Sequence, residues 1–104
     1  MNVIKELYQV LQERKGVDGE SSYVASLYEA GPEKMGRKIS EEAVEVLIEG
    51  LNGDKESLKQ EAADLIFHLW VLLAHYDISP ADVGAVLKGR VGVSGHDEKA
   101  SRGA

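Results

Sequence analysis

The chain has 104 residues, with 18 acidic against 12 basic side chains for a formal charge of −6, 43% hydrophobic residues and no cysteine. That length buries one core and not two, and the hydrophobic content excludes a solvated, disordered tail. Without cysteine there is no disulfide framework, no thiolate nucleophile and no Cys-containing zinc or iron–sulfur site, while the negative surplus disfavours nucleic-acid phosphates, which need a basic face.

Apolar residues recur at spacings of three and four, and Pro occurs only at positions 32 and 80, so the chain is expected to be all-α with five helices. The first runs from about Asn2 to Arg14, with Val3, Ile4, Leu7, Val10 and Leu11 on its apolar face, and stops before the Gly16–Gly19 loop. A short second helix starts near Ser22 and ends at Gly31. Pro32 then opens the third, where its missing N–H costs nothing, and Gly53 stops it after Asn52. Asp54 caps a fourth helix from Lys55 to about Tyr76, and Ser79-Pro80-Ala81-Asp82 starts a fifth that reaches about Lys88. Residues 1–90 are thus expected to form a single domain and 91–104 a loosely held tail.

The longest apolar stretch, Leu65–Ala74, is interrupted by His68 and falls short of the roughly 18 residues that span a bilayer. The first fourteen residues carry Lys5, Glu6, Glu13 and Arg14 and lack the apolar block of a signal peptide, so the chain is expected to start near Met1 and to work in the cytoplasm, away from membranes.

The short Asn52-Gly53-Asp54 turn folds helices of about 33–52 and 55–76 into an antiparallel hairpin. At about 100° per residue, the fourth helix puts Leu58, Ala62, Leu65, Ile66, Leu69, Leu73 and Tyr76 on one side and Ala63, Phe67, Trp70 and Ala74 on the other. The apolar residues of the third spread over roughly 220°, more than one neighbour covers. A homodimer is therefore expected, with a central bundle built from one hairpin of each subunit.

The polar residues on these helices carry the chemistry. Glu42, Glu45 and Glu49 fall within about 40° on the third helix with Glu41 just outside, and Glu61, Asp64, His68 and His75 fall within about 60° on the fourth. Glu45 lies eight residues before Gly53 and Glu61 eight after, so the pairs Glu42/Glu45 and Glu61/Asp64 come level. The segment from Ser40 to Asp64 holds eight acidic and two basic residues, which is the whole net charge. Four converging carboxylates repel one another unless protons or cations neutralise them. All-oxygen ligation selects Mg²⁺, or Mn²⁺, over zinc, and Mg²⁺ adds substrate phosphates to a few carboxylates, the chemistry of phosphoanhydride cleavage. The competing reading is a set of solvated glutamates on a non-catalytic helical dimerisation module.

Glu41-Glu42-Ala43-Val44-Glu45-Val46 followed by Glu61-Ala62-Ala63-Asp64-Leu65 resembles the all-α nucleoside triphosphate pyrophosphohydrolase superfamily, the MazG-like group, with its dimeric four-helix core. Within it, Gly31-Pro32-Glu33-Lys34-Met35, Lys38 and Leu51-Asn52-Gly53-Asp54 around those two blocks, through His68, are similar to the phosphoribosyl-ATP pyrophosphatase family. The resemblance covers about Ser22 to Arg90. It implies Mg²⁺-dependent hydrolysis of phosphoribosyl-ATP to phosphoribosyl-AMP and pyrophosphate, the second step of histidine biosynthesis, by a separate polypeptide without the cyclohydrolase domain to which it is fused in some organisms. Glu42, Glu45, Glu61 and Asp64 match the metal-binding carboxylates, and Glu41 the leading glutamate, an additional ligand or a water-orienting base. A house-cleaning hydrolase of another nucleoside triphosphate is the nearest alternative.

Lys38, and Lys34 one turn before it, are expected to meet the triphosphate, since a site with four carboxylates needs basic groups to admit a polyanion. Arg37 between them is expected to face solvent. His68, four residues after Asp64, is a candidate to hydrogen-bond that carboxylate or to act as a base, with a buried histidine satisfied by a neighbour as the expected outcome. Trp70, Phe67 and Tyr76 belong to the core or the dimer interface. Tyr23, in Ser21-Ser22-Tyr23, resembles the start of the family's second helix, a segment that closes over substrate or simply carries the Ser22 cap. In the tail, Lys99 and Arg102 are candidates to fold over phosphates.

Overall fold

The computed structural model describes residues 2–92. Five helices follow one another: α1 (Val3–Glu13), α2 (Tyr23–Ala30), α3 (Pro32–Asn52), α4 (Lys55–His75) and α5 (Pro80–Lys88), with no strand among the described residues. The expected tail residues Lys99 and Arg102 lie outside the described residues.

Each boundary has a local cause. The Asn2 side chain accepts the Lys5 N–H at 3.1 Å and Ser22 Oγ accepts the Ala25 N–H at 3.2 Å, satisfying orphan donors at the starts of α1 and α2. Gly31, at φ 95°, ends α2, and Pro32 immediately opens α3. Gly53 takes the left-handed conformation at φ 73°, its N–H returning to the Glu49 carbonyl at 3.0 Å. Asp54 then caps α4 through the Ser57 N–H and hydroxyl, both at 3.1 Å, which hold its carboxyl below the usual carboxylate range. Two residues therefore reverse the chain, and α3 and α4 lie side by side as the antiparallel hairpin.

Against that hairpin α1 packs on α4 and α2 on both long helices, while α5 packs on α1. The core is Leu11 from α1, Val24 and Leu27 from α2, Met35 from α3 and Trp70, Val71 and Ala74 from α4. Tyr8 meets Trp70 edge to face at 6.2 Å. Tyr28 donates to the Leu11 carbonyl at 2.9 Å, and burial, with Tyr8 and Asp77 nearby, pushes its phenol up to about 12. Beyond α4, Asp77 sits at φ 57°, held by the Lys15 ammonium at 2.7 Å and the Gln12 amide at 3.2 Å. Ile66, Leu69 and Tyr76 of the first expected α4 face are exposed, while Trp70 and Ala74 of the second are buried.

At α5, Ser79 Oγ accepts the Asp82 N–H at 3.2 Å and the Asp82 carboxylate accepts the Ser79 N–H at 2.9 Å, a reciprocal capping box. No side chain of α5 is fully buried, so this cap is a large share of what holds the helix. Ser79→Ala is expected to cost about 1 kcal/mol and to lower Tm by about 5 °C in a calorimetric scan.

Candidate metal centre

The two long helices bring together side chains that sit far apart in the chain. Glu42, Glu45 and Glu61 each offer a carboxylate oxygen, and the three oxygens lie within 4.8 Å of one another. Glu42 is only 8% exposed. One oxygen on Glu42 and one on Glu61, the two Oε2 atoms, are buried and without any hydrogen-bond partner. Such atoms cost free energy unless something binds them, since a desolvated carboxylate oxygen has lost its water and gained nothing.

Electrostatics show the same crowding. A hydrogen bond to the Glu45 side chain, then burial, then the charges of Glu45, Asp64 and Glu42 push the Glu61 carboxyl up from 4.5 to about 7. A proton is thus the neutraliser when no cation is present. A divalent cation is the other, and the donor set fits one: three carboxylate oxygens converge, Glu42 and Glu61 each carry a buried oxygen without a partner, and no nitrogen or sulfur atom takes part. Asp64, one turn beyond Glu61, acts on it electrostatically but stands outside the three-oxygen group. Glu49 also stands outside it.

Basic groups border the acidic cluster. The Lys38 ammonium donates to Glu41 Oε2 at 3.1 Å and lies 3.8 Å from Glu42 Oε1. The hydrogen bond to Glu41 is the main cause that raises Lys38 above its ordinary value, with the charges of Glu41, Tyr23 and Glu42 adding to it. Lys34, Arg37, Lys38 and Glu41 line a shallow hollow of about 160 Å³. Arg37 is exposed, 3.9 Å from Glu33. Glu41 is therefore turned toward Lys38 and not into the carboxylate cluster.

His68 is buried and satisfied on both ring nitrogens. Nδ1 lies 2.8 Å from the Asp64 backbone carbonyl, not its carboxylate, and Nε2 lies 2.9 Å from the Tyr23 hydroxyl. Tyr23 and His68 are 45 positions apart on α2 and α4, so helical spacing carries no signal of their bond. The only hint is the Ser-Tyr start of α2.

The model of the family "Phosphoribosyl-ATP pyrophosphohydrolase" matches residues 4–90. The chain belongs to this family. Its relatives agree along nearly the full length. A phosphoribosyl-ATP pyrophosphatase of Geobacter sulfurreducens is 52% identical over 97% of this chain and 94% of its own. That of Cereibacter sphaeroides strain KD131 is 50% identical over 99% of this chain and all of its own, and that of Jannaschia sp. 45% identical over 98% and 100%. As a phosphoribosyl-ATP pyrophosphohydrolase family member, the chain carries the acidic cluster and the Lys34–Glu41 hollow inside the matched region. No helix among the described residues is long and apolar enough to cross a membrane.

Proposed function

We propose that this protein is a cytoplasmic, homodimeric, Mg²⁺-dependent hydrolase that cleaves the α–β phosphoanhydride of phosphoribosyl-ATP, giving phosphoribosyl-AMP and pyrophosphate in the second step of histidine biosynthesis. The observation that carries the reading is the trio of carboxylate oxygens with two buried, unpartnered atoms, in a chain of this family.

Glu42, Glu45 and Glu61 would hold the cation, with Asp64 completing the set from one turn away. When bound, Mg²⁺ supplies charge neutralisation for the phosphates and Lewis-acid activation at the reacting phosphorus. Lys38, with Lys34 behind it, meets the triphosphate in the adjoining hollow. A phosphate oxygen there takes over the ammonium that Glu41 now holds at 3.1 Å, since charge-assisted bonds to phosphate are strong. Glu41, released from that pair, orients the attacking water and accepts its proton. Its exposure on the rim of the hollow suits that role better than a fixed ligand position.

An apolar stripe on the same hairpin supports the dimer. Val44, Leu47, Ile48 and Leu51 recur at three and four on α3, with Leu47 60% and Leu51 80% exposed, and Ile66 and Leu69 are exposed on α4. Such a face, outside the core that α1 and α2 form with the hairpin, calls for a partner surface.

The pH dependence has a definite sign. Glu61 titrates near 4.5 when unfolded and about 7 when folded, so folding takes up a proton between those values. Its contribution to stability is full below 4.5 and is lost as the pH rises through about 7. The Tm of the metal-free protein is therefore expected to fall across that window, and Mg²⁺ to raise Tm more at pH 8 than at pH 6. Scanning calorimetry with EDTA and with Mg²⁺ checks this; a Mg²⁺ effect that shrinks with rising pH contradicts it.

Incubation with phosphoribosyl-ATP and with a panel of nucleoside and deoxynucleoside triphosphates, followed by phosphorus NMR, tests the function. Pyrophosphate release from phosphoribosyl-ATP, abolished by EDTA, is expected. Preference for an ordinary dNTP would overturn the histidine assignment.

A further inference from the structure

The Tyr23–His68 contact ties α2 to the hairpin beside the reactive groups and has a defined polarity. The Asp64 carbonyl can only accept, so the 2.8 Å contact places a hydrogen on His68 Nδ1. With the imidazole neutral, Nε2 is then the acceptor, and the Tyr23 hydroxyl, 2.9 Å away, donates to it. The ring is fixed further by edge contacts with Tyr23 at 5.8 Å and with Phe67 at 5.3 Å. His68 is 8% exposed, while Tyr23 is 52% exposed. The phenol is thus anchored at its hydroxyl while the residue as a whole stays half exposed, within electrostatic reach of the Lys38 ammonium.

A phenol whose single proton is committed inward presents only lone pairs outward. It has nothing to donate to a phosphate, which is itself an acceptor, and it repels phosphate oxygens where Lys38 attracts them. What it accepts is an O–H. A phosphorylated nucleoside brings hydroxyl groups on its sugar, a short distance from the phosphates that Lys38 meets.

We propose that Tyr23 is a substrate-binding residue whose phenolic oxygen, oriented by His68, accepts a hydrogen bond from a sugar hydroxyl of the nucleotide. The inference rests on the reading of the hairpin site as a nucleotide pyrophosphohydrolase. The contact separates recognition from reaction: Lys38 and the carboxylates meet the phosphates, and Tyr23 reads the sugar.

Steady-state kinetics of Tyr23→Phe, with phosphoribosyl-ATP and with analogues lacking one sugar hydroxyl at a time, test the proposal. Phenylalanine keeps the ring contacts and removes only the oxygen. KM for phosphoribosyl-ATP is expected to rise about tenfold with kcat changed less than threefold. One deoxy analogue should cost the wild type a similar factor, and Tyr23→Phe should lose nothing further on it. An equal Tyr23→Phe penalty on the parent and on every analogue, or none on the parent, would overturn the proposal. So would weakened Mg²⁺ binding by Tyr23→Phe in calorimetry, which would assign the oxygen to the metal centre. Failure of the wild type on phosphoribosyl-ATP would instead count against the parent reading. In that case the same comparison, on whichever triphosphate the enzyme hydrolyses and its 2′- and 3′-deoxy forms, decides the role of Tyr23.

Discussion

Glu42→Gln is expected to lower kcat/KM by about a hundredfold or more while making the metal-free protein more stable. The two effects have one cause. Glu42 is the most buried member of the acidic group, and its Oε2 atom has no partner. Its negative charge is costly in a site that already holds Glu45 and Glu61, and its lone pairs are what a cation would use. A neutral amide of the same shape removes the repulsion and offers hydrogens to the neighbouring carboxylates. The gain is about 1 kcal/mol, set against a few tenths lost with the 3.8 Å pairing to Lys38. Thermal melts with EDTA and turnover with Mg²⁺ check both halves. A variant that is less stable and still active would mean that Glu42 is an ordinary structural ion-pair partner.

Leu47→Asp is expected to convert the protein from dimer to monomer without unfolding it. Leu47 is 60% exposed in the single chain and lies between Val44, Ile48 and Leu51 on one stripe, so a carboxylate there costs the monomer little. In a dimer it would be buried opposite apolar side chains, a penalty large enough to raise the dissociation constant by at least about a hundredfold. Sedimentation of wild type and variant, with far-UV circular dichroism to confirm helicity, reads the outcome. All three clustered oxygens come from one chain, so Mg²⁺ binding should survive in the monomer. A wild type that sediments as a monomer at all concentrations would remove the homodimer from the proposal.

The helix order was legible because its signals are local. Gly31-Pro32, Gly53-Asp54 and Ser79-Pro80-Ala81-Asp82 each act within one turn of backbone, and the bounds Pro32–Asn52 and Lys55–His75 follow from them. The pairing of Glu45 with Glu61 was legible for the same reason, since a two-residue turn sets the register of the hairpin. What periodicity could not decide is which apolar side of α4 the single chain covers. Val71, fully buried, belongs to neither expected face: it lies about 40° beyond Phe67, between the second face and the polar strip. The same register sets Asp64 level with Glu42, yet its oxygens stand outside the group. Its side chain is one methylene shorter than glutamate and about 60° around the helix from Glu61, so it reaches less far.

The remaining differences are long-range polar choices. The expected bond from His68 to the Asp64 carboxylate goes to the backbone carbonyl of the same residue, four positions back, which leaves that carboxylate free. Lys15 and Gln12 close on Asp77 across more than sixty residues, and Tyr23 closes on His68 across 45. Each depends on how helices meet in space, which no helical wheel contains.

Calorimetric titration with Mg²⁺ and Mn²⁺ tests most directly whether the hairpin carboxylates form a metal centre. Wild type is expected to bind, with proton release near pH 7 from Glu61, and Glu45→Gln combined with Asp64→Asn to lose that heat and the accompanying rise in Tm. Equal binding and equal melting of wild type and double variant would mean that these carboxylates hold no metal ion.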